Sequence, residues 1–444
     1  MSDPVSTDPE GFKQARAYPL WDALFKRRTR RVARGTSFKS GAFTFQSRQE
    51  PQPLSGLEEA MLIAATGITG LALADNPYQT ERGKPLFGTP LIEVRGRSAG
   101  SPDNAQSTRF FMWNDDGTYF LRAPEDRIPA PDVATMTADE LVAYVERFKV
   151  KIRDGRLDFP RAFPSYASGN RYVSNVAGST MFVPVTEVTR QYINGLIYVL
   201  AQEDGQRPVF LDDFNLYLPC GCEKWIKSGF LNRDLKLPLS LYGKGRTEYE
   251  ALLLLQNLAL LGQAMGPGAW IHAAFAPVIL FGGLPELGTG LNFRFVEPRR
   301  IPLPRPYPAA TPNPVGLDGI LQAYCPPYYR HMDEAIDAIL AEKYGPEGLY
   351  TDPKFYGQTM SAENTSRFLR EAPHPDEGVI DCVRAICNYI HRTYDRFPAH
   401  CHAIDSPGVW IQFHHVDLDF YNEFFIEGTS QTQVDHGRAW HGGS

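Results

Sequence analysis

Residues 53–70 read PLSGLEEAMLIAATGITG. Ser55 and Glu58 form a capping box, in which the serine hydroxyl and the glutamate carboxylate each satisfy a main-chain N–H that a helix start leaves free. Behind them Leu57, Ala60, Met61 and Ala64 keep helical spacing, and Gly67 marks the expected end of the helix. Thr137 and Glu140 form a second capping box. It is followed by a stripe of Leu141, Tyr144, Val145, Phe148 and Ile152, with Gly155 beyond. Between the two helices, Thr108–Trp113 and Thr118–Leu121 flank Asp115-Asp116-Gly117, which is a hairpin signal.

Working outward, residues 1–16 and 428–444 are polar and are expected to be flexible tails. A helix is expected near Pro19, carrying Leu20, Ala23 and Leu24, and Arg27, Arg28, Arg30, Arg31 and Arg34 follow within eight positions. Residues 75–107 read as loop. A helix is expected over Thr186–Gln202 and a short strand over Pro208–Leu211. No charged side chain occurs from Ala251 to Pro285, a run long enough to span a bilayer. Gln256, Asn257, Gln263 and the Gly266-Pro267-Gly268 breaker interrupt it. It is therefore read as a buried helix over Thr247–Met265, a break, and a buried strand near Pro277–Phe281, with another strand near 290–296. A proline-rich linker spans 301–316. Beyond it, a mostly helical extension over 317–427 is marked by Ile336, Ile339 and Leu340, then by Val379, Cys382, Val383, Ile386 and Ile390. Its last expected strand is Val409–Phe420.

The 444 residues are 43% apolar and 22% charged, which excludes a mostly disordered chain and a polytopic membrane protein. A net charge of −6 leaves no global basic field for nucleic acid. Six cysteines are too sparse for a disulfide scaffold, and Cys220-Gly-Cys222 lacks the C-x-x-C spacing of redox motifs. Cys382 and Cys387 read as core residues, as does His272. The N-terminus shows neither a basic region nor an apolar core, so a cytoplasmic protein is expected. The sequence contains no Walker loop, G-x-S-x-G, H-E-x-x-H or dinucleotide fingerprint.

Four stretches carry a family resemblance. LWDALFKRRTRR at 20–31 is similar to an opening helix with an Arg-Arg-Ser-x-Arg signature. Residues 53–70 are similar to a helix ending in Gly-Ile-Thr-Gly. Arg97-Ser98-Ala99-Gly100 is similar to Pro-Ser-Ala-Gly before a strand pair. Ala251–Gly268 is similar to a long apolar helix ending in Gly-Leu-Gly. Together these resemble the nitroreductase superfamily, and more narrowly the flavin dehydrogenases that oxidise azoline rings in thiazole- and oxazole-modified peptides. The likeness covers 20 to about 300 with large gaps. Thr29 replaces a serine, Arg97 a proline, and Pro267 interrupts the final turn.

The resemblance implies an α+β fold, with a nitroreductase-like flavin domain over 17–300 whose mixed sheet is wrapped by helices, and a homodimer with FMN at its interface. It implies hydride transfer between a nicotinamide cofactor (NAD(P)H) or organic substrate and a second small-molecule or peptide acceptor. Arg27, Arg28, Thr29 and Arg31 would hold the phosphate and pyrimidine ends of FMN, since spacings of three and four bring side chains together at a helix end. Ser98, Ala99 and Gly100 would bring main-chain N–H groups to the ring, and Gly266 and Gly268 would wrap it. The alternative for the arginines is a solvated basic face.

His400, His402 and Tyr421 are candidate acid–base residues. A second reading takes 409–420 as a strand that places His415, Asp417 and Asp419 on one face. With His400 and His402 these make a divalent-metal set, for a metal-dependent enzyme. A third reading is a flavin-free binding protein of the same fold, with the arginines engaged by acidic side chains.

Overall fold

The computed structural model describes residues 8–75, 80–81, 84–85, 89–122, 132–202, 207–242, 245–273, 276–296, 313–398, 400–402 and 408–442. Most of the proline-rich linker lies outside them, and residues 313–317 form a strand. The chain is α+β.

Both capping boxes form. Ser55 N–H donates to Glu58 Oε2 at 2.7 Å and Glu58 N–H to Ser55 Oγ at 3.3 Å, opening the helix Gly56–Thr66. Thr137 N–H donates to Glu140 Oε2 at 2.8 Å, opening the helix Ala138–Glu146. The hairpin also forms, as Thr108–Trp113 against Gly117–Leu121.

The central sheet runs in the order Gly268–His272, Trp410–His414, Thr180–Glu187, Thr108–Trp113, Gly117–Leu121, Lys149–Asp154, and His400–His402 pairs with the far end of Thr180–Glu187. Every ladder in it is antiparallel, where a mixed sheet was expected. Successive strand residues point to opposite faces, and both faces are covered. Phe110, Met112, Phe182 and Phe413 face the helices Gly56–Thr66 and Gly245–Met265 through Leu62, Leu254 and Leu258. Phe111, Trp113, Met181, Val183 and Trp410 face the other way, against Ile279, Leu280 and Phe281. A separate core joins the helices Thr189–Leu200, Met332–Tyr344 and Glu377–Tyr394. Cys220, Cys222, Cys325, Cys382 and Cys387 are buried in it as free thiols. Burial pushes the Cys222 thiol up to about 11, so it stays protonated.

Several expectations give way. Pro277–Phe281 is a helix, not a strand: proline occupies its first turn, and a short apolar run does not by itself distinguish the two. Within the 1–16 stretch expected frayed, a helix Glu10–Ala17 begins and packs on the long one. The polar tail carries the helix Gln431–His441, started by Ser430 N–H donating to Gln433 Oε1 at 3.0 Å. The region 317–427 carries four α-helices among the described residues, yet it also supplies the strand Trp410–His414 to the middle of the central sheet. Thr180–Glu187, a fully buried strand with Pro184 inside it, was not expected from the sequence. The loop 75–107 contains Arg95–Arg97, paired with Ile68–Leu71.

The charge-free run forms the helix Gly245–Met265 and then the strand Gly268–His272. Among the described residues, no helix is long and apolar enough to cross a membrane.

Candidate functional site

The opening helix Leu20–Phe25 stops before the arginines, so Arg27–Arg34 form an irregular segment and helical spacing does not bring them together. The segment is instead fixed through its main chain. Arg28 N–H donates to Gln263 Oε1 at 2.9 Å. Arg31 N–H and Val32 N–H both donate to Tyr421 Oη, at 2.8 and 3.1 Å. The Tyr421 hydroxyl, a candidate acid–base group in the sequence, is thus spent on positioning this segment.

Three guanidinium groups are left outward. Arg27, Arg28 and Arg31 are exposed. Arg27 reaches Thr29 Oγ1 at 3.0 Å, Arg28 reaches only the carbonyls of Lys26 and Arg27, and Arg31 lies over the Trp270 ring. None of the three pairs with a carboxylate among the described residues.

A cleft of about 700 Å³ opens at the C-terminal end of the long helix; Lys26, Arg28, Met265, Thr432, His436 and Trp440 are on its wall.

The 98–100 loop lies farther back on the same helix. Asn257 Nδ2–H donates to Ser98 O at 2.8 Å, and Ser98 Oγ–H donates to Ala65 O at 2.7 Å. Gln263 and Asn257 are six residues apart, about 9 Å along the axis. Gly100 is exposed with open space above it.

Gly266 and Gly268, expected to wrap a flavin, are buried under the chain's own C-terminal part. A Cβ on Gly266 would lie 2.3 Å from Thr432 O, and one on Gly268 would lie 2.6 Å from His414 Nε2.

Among the described residues, His415, Asp417 and Asp419 do not come together as the expected metal set. The strand ends at His414, and Asp417 instead caps the helix Leu418–Phe424, accepting from Phe420 N–H at 3.2 Å and from Ser47 Oγ. Asp419 lies in the first turn of that helix, so period-2 alternation no longer relates it to His415. His400 and His402 pair with Glu187 and Val185 through their main chains, and their side chains lie outside the described residues.

His272 is a satisfied core residue. It accepts from Trp410 Nε1–H at 2.9 Å and stacks on Trp270, and burial pushes its pKa down to about 3.

His415 does join a cluster, but with residues that sequence reasoning missed: Glu58, His436 and His441. One ligand atom from each lies within 4.8 Å of all the others. Glu58 is fully buried. His436 Nε2 is 3.0 Å from its Oε1, and His441 Nε2 is 3.4 Å from its Oε2. Burial pushes the Glu58 carboxyl up, but the His436 and His441 rings outweigh that and hold it well below the usual carboxylate range. Burial pushes His415 down to about 3, so its ring is neutral. The signal that could have found His436 and His441 was the capping box Ser430-Gln-Thr-Gln433, which announces an ordered helix in an otherwise polar tail.

No protein-family model matches the chain, and no curated protein matches it.

Proposed function

We propose that the chain is an FMN-dependent oxidoreductase of nitroreductase-like build, moving a hydride between a nicotinamide cofactor or organic substrate and a second small-molecule or peptide acceptor. One observation carries the reading: Arg27, Arg28 and Arg31 are exposed guanidinium groups without carboxylate partners among the described residues, and Arg28 lines a cleft at the end of the long helix. A flavin-free scaffold calls for the same arginines to be engaged by acidic side chains, and among the described residues they are not.

The residues fit the group in part. Arg27, Arg28 and Arg31 suit its phosphate, for which guanidinium forks are the preferred donors. The open 98–100 loop permits close approach of a flat ring. Gly266 and Gly268 do not fit and leave the proposed site. When bound, FMN supplies a two-electron hydride acceptor and donor. The chain's own part is to grip the phosphate through the arginine segment, whose main chain Tyr421 and Gln263 hold in place.

The proposal includes a homodimer. Leu20, Trp21, Leu24 and Phe25 on the opening helix and Tyr249 and Leu253 on the long helix are exposed apolar side chains, Trp21 at 71%. A second copy would cover a patch of this kind.

The test is the absorption spectrum. Purified protein, or protein incubated with FMN and desalted, should absorb near ~450 nm as bound oxidised flavin. Colourless protein that does not retain added FMN overturns the reading.

A further inference from the structure

The flavin reading makes no use of the cluster Glu58, His415, His436 and His441, and its hydrogen bonding is unusual. His436 Nδ1 lies 3.0 Å from Met265 O, and His415 Nε2 lies 3.2 Å from Pro53 O. A carbonyl only accepts, so each of those nitrogens carries the hydrogen. In a neutral ring the other nitrogen then presents a bare lone pair. Of those other nitrogens, His415 Nδ1 is buried without a hydrogen-bond partner, and His436 Nε2 is buried 3.0 Å from Glu58 Oε1, with His441 Nε2 3.4 Å from Glu58 Oε2. The carboxylate is oriented in the same way: its Oε2 takes Ser55 N–H and Ser55 Oγ–H, both at 2.7 Å. Electron-rich atoms thus converge in a dry interior, which is costly unless a cation lies among them.

We propose that Glu58, His415, His436 and His441 bind one divalent transition-metal cation of the zinc class, which fastens the C-terminal helix Gln431–His441 to the helix Gly56–Thr66.

The donor chemistry selects the ion. Three imidazole nitrogens and one carboxylate oxygen suit zinc, whereas calcium and magnesium favour oxygen alone. Four protein ligands close a tetrahedral shell, which is the pattern of a structural site. The carbonyls of Met265 and Pro53 and the Ser55 hydroxyl supply the outer contacts that fix ring orientation and tautomer at such sites. The four ligands come from three separate parts of the chain: the helix Gly56–Thr66, the end of the strand Trp410–His414, and the C-terminal helix. A cation here would therefore cross-link the helix Gly56–Thr66 to residues 415–441.

The experiment uses the full chain, stripped with chelator and titrated with zinc chloride and with cobalt chloride, FMN content being measured separately. Expected are about one zinc per chain, the intense visible bands of tetrahedral cobalt, and a zinc-dependent rise in Tm. Two variants keep the fold testable. Glu58→Gln retains a capping-box acceptor for Ser55, and His441→Ala lies at the last turn of its helix. Each should weaken zinc binding by roughly tenfold or more and abolish the Tm rise. If the wild type takes up neither metal, a proton shared between imidazolium and carboxylate holds the cluster and the proposal fails. It fails equally if both variants bind zinc as the wild type does. Neither result depends on whether the protein binds flavin.

Discussion

The Arg31 guanidinium lies 5.5 Å from the centroid of the Trp270 ring, and Trp270 stacks in turn on His272 with 3.6 Å between centroids. One exposed charge is thereby held against the strand that follows the long helix. A side chain so placed loses little further freedom on gripping an anion. In a titration followed by quenching of flavin fluorescence, the double variant Arg28→Ala/Arg31→Ala should bind FMN at least about tenfold more weakly, since each charged hydrogen bond contributes on the order of 1.5–3 kcal/mol. Its Tm should change little, because both side chains are exposed. Unchanged FMN affinity would remove the arginines from the site.

Arg97 stands where the resembled branch has proline, and its contacts give a physical reason. Its guanidinium lies 3.4 Å from Glu250 Oε1 on the long helix and donates to Thr108 O at 2.5 Å, with both charged side chains almost wholly buried. Glu250 also accepts from Thr108 N–H at 2.7 Å and from Ser101 Oγ. The pair therefore ties the 97–101 loop and the first sheet strand to the long helix. Removing one partner strands the other in a dry interior. Arg97→Met should cost about 3–5 kcal/mol in denaturant unfolding. The double variant Arg97→Met/Glu250→Leu should recover part of that, because Thr108 and Ser101 still lose an acceptor. Strict additivity of the two single changes would show that the pair is not coupled.

Lys343 is fully buried, its ammonium donating to Thr89 O at 2.6 Å and to Asn194 Oδ1 at 2.5 Å. No carboxylate is among these partners, and burial pushes its pKa from 10.5 down to about 7, with nearby Arg190 adding to the effect. Between these two values the unfolded chain holds a proton that the folded chain has released. Stability should therefore rise with pH from about 7 toward 10.5, and this contribution should be absent below pH 7. Chemical denaturation across that range should show the upward slope in the wild type and a flatter one in Lys343→Met. The same slope in both would place the titrating group elsewhere.

The features legible in the sequence are those whose chemistry is complete within a few residues. The Ser55–Glu58 and Thr137–Glu140 boxes, the hairpin around Asp116 and the long helix each needed only local spacing. The cluster was hidden because its members lie up to 383 positions apart (Glu58 to His441) and meet only through tertiary packing. Asp417 misled for a related reason: an aspartate two residues past a strand histidine reads as continued alternation, but its carboxylate starts a new helix. Gly266 was read as facing a ligand when it faces Thr432. In each case the deciding partner was distant in sequence.

Gly266 offers a way to test how the C-terminal helix is held. Its φ is +99°, and an added Cβ would lie 2.3 Å from Thr432 O, a main-chain atom that cannot swing aside. The helix is docked at the same spot by Trp440 Nε1–H and His436 Nδ1–H, which donate to Met265 O at 2.9 and 3.0 Å. Gly266→Ala should therefore combine a left-handed backbone penalty of roughly 1–2 kcal/mol with displacement of Thr432, loosening residues 431–441. Gly41→Ala is the control: φ there is +94° and nothing lies within 4 Å of the added Cβ, so only the backbone penalty applies. Hydrogen exchange should show lost protection over 431–441 in Gly266→Ala alone, with a Tm loss larger than that of Gly41→Ala. Equal losses and unchanged protection would mean that the helix shifts to accept the methyl group, and that close contact at Gly266 is not what seats it.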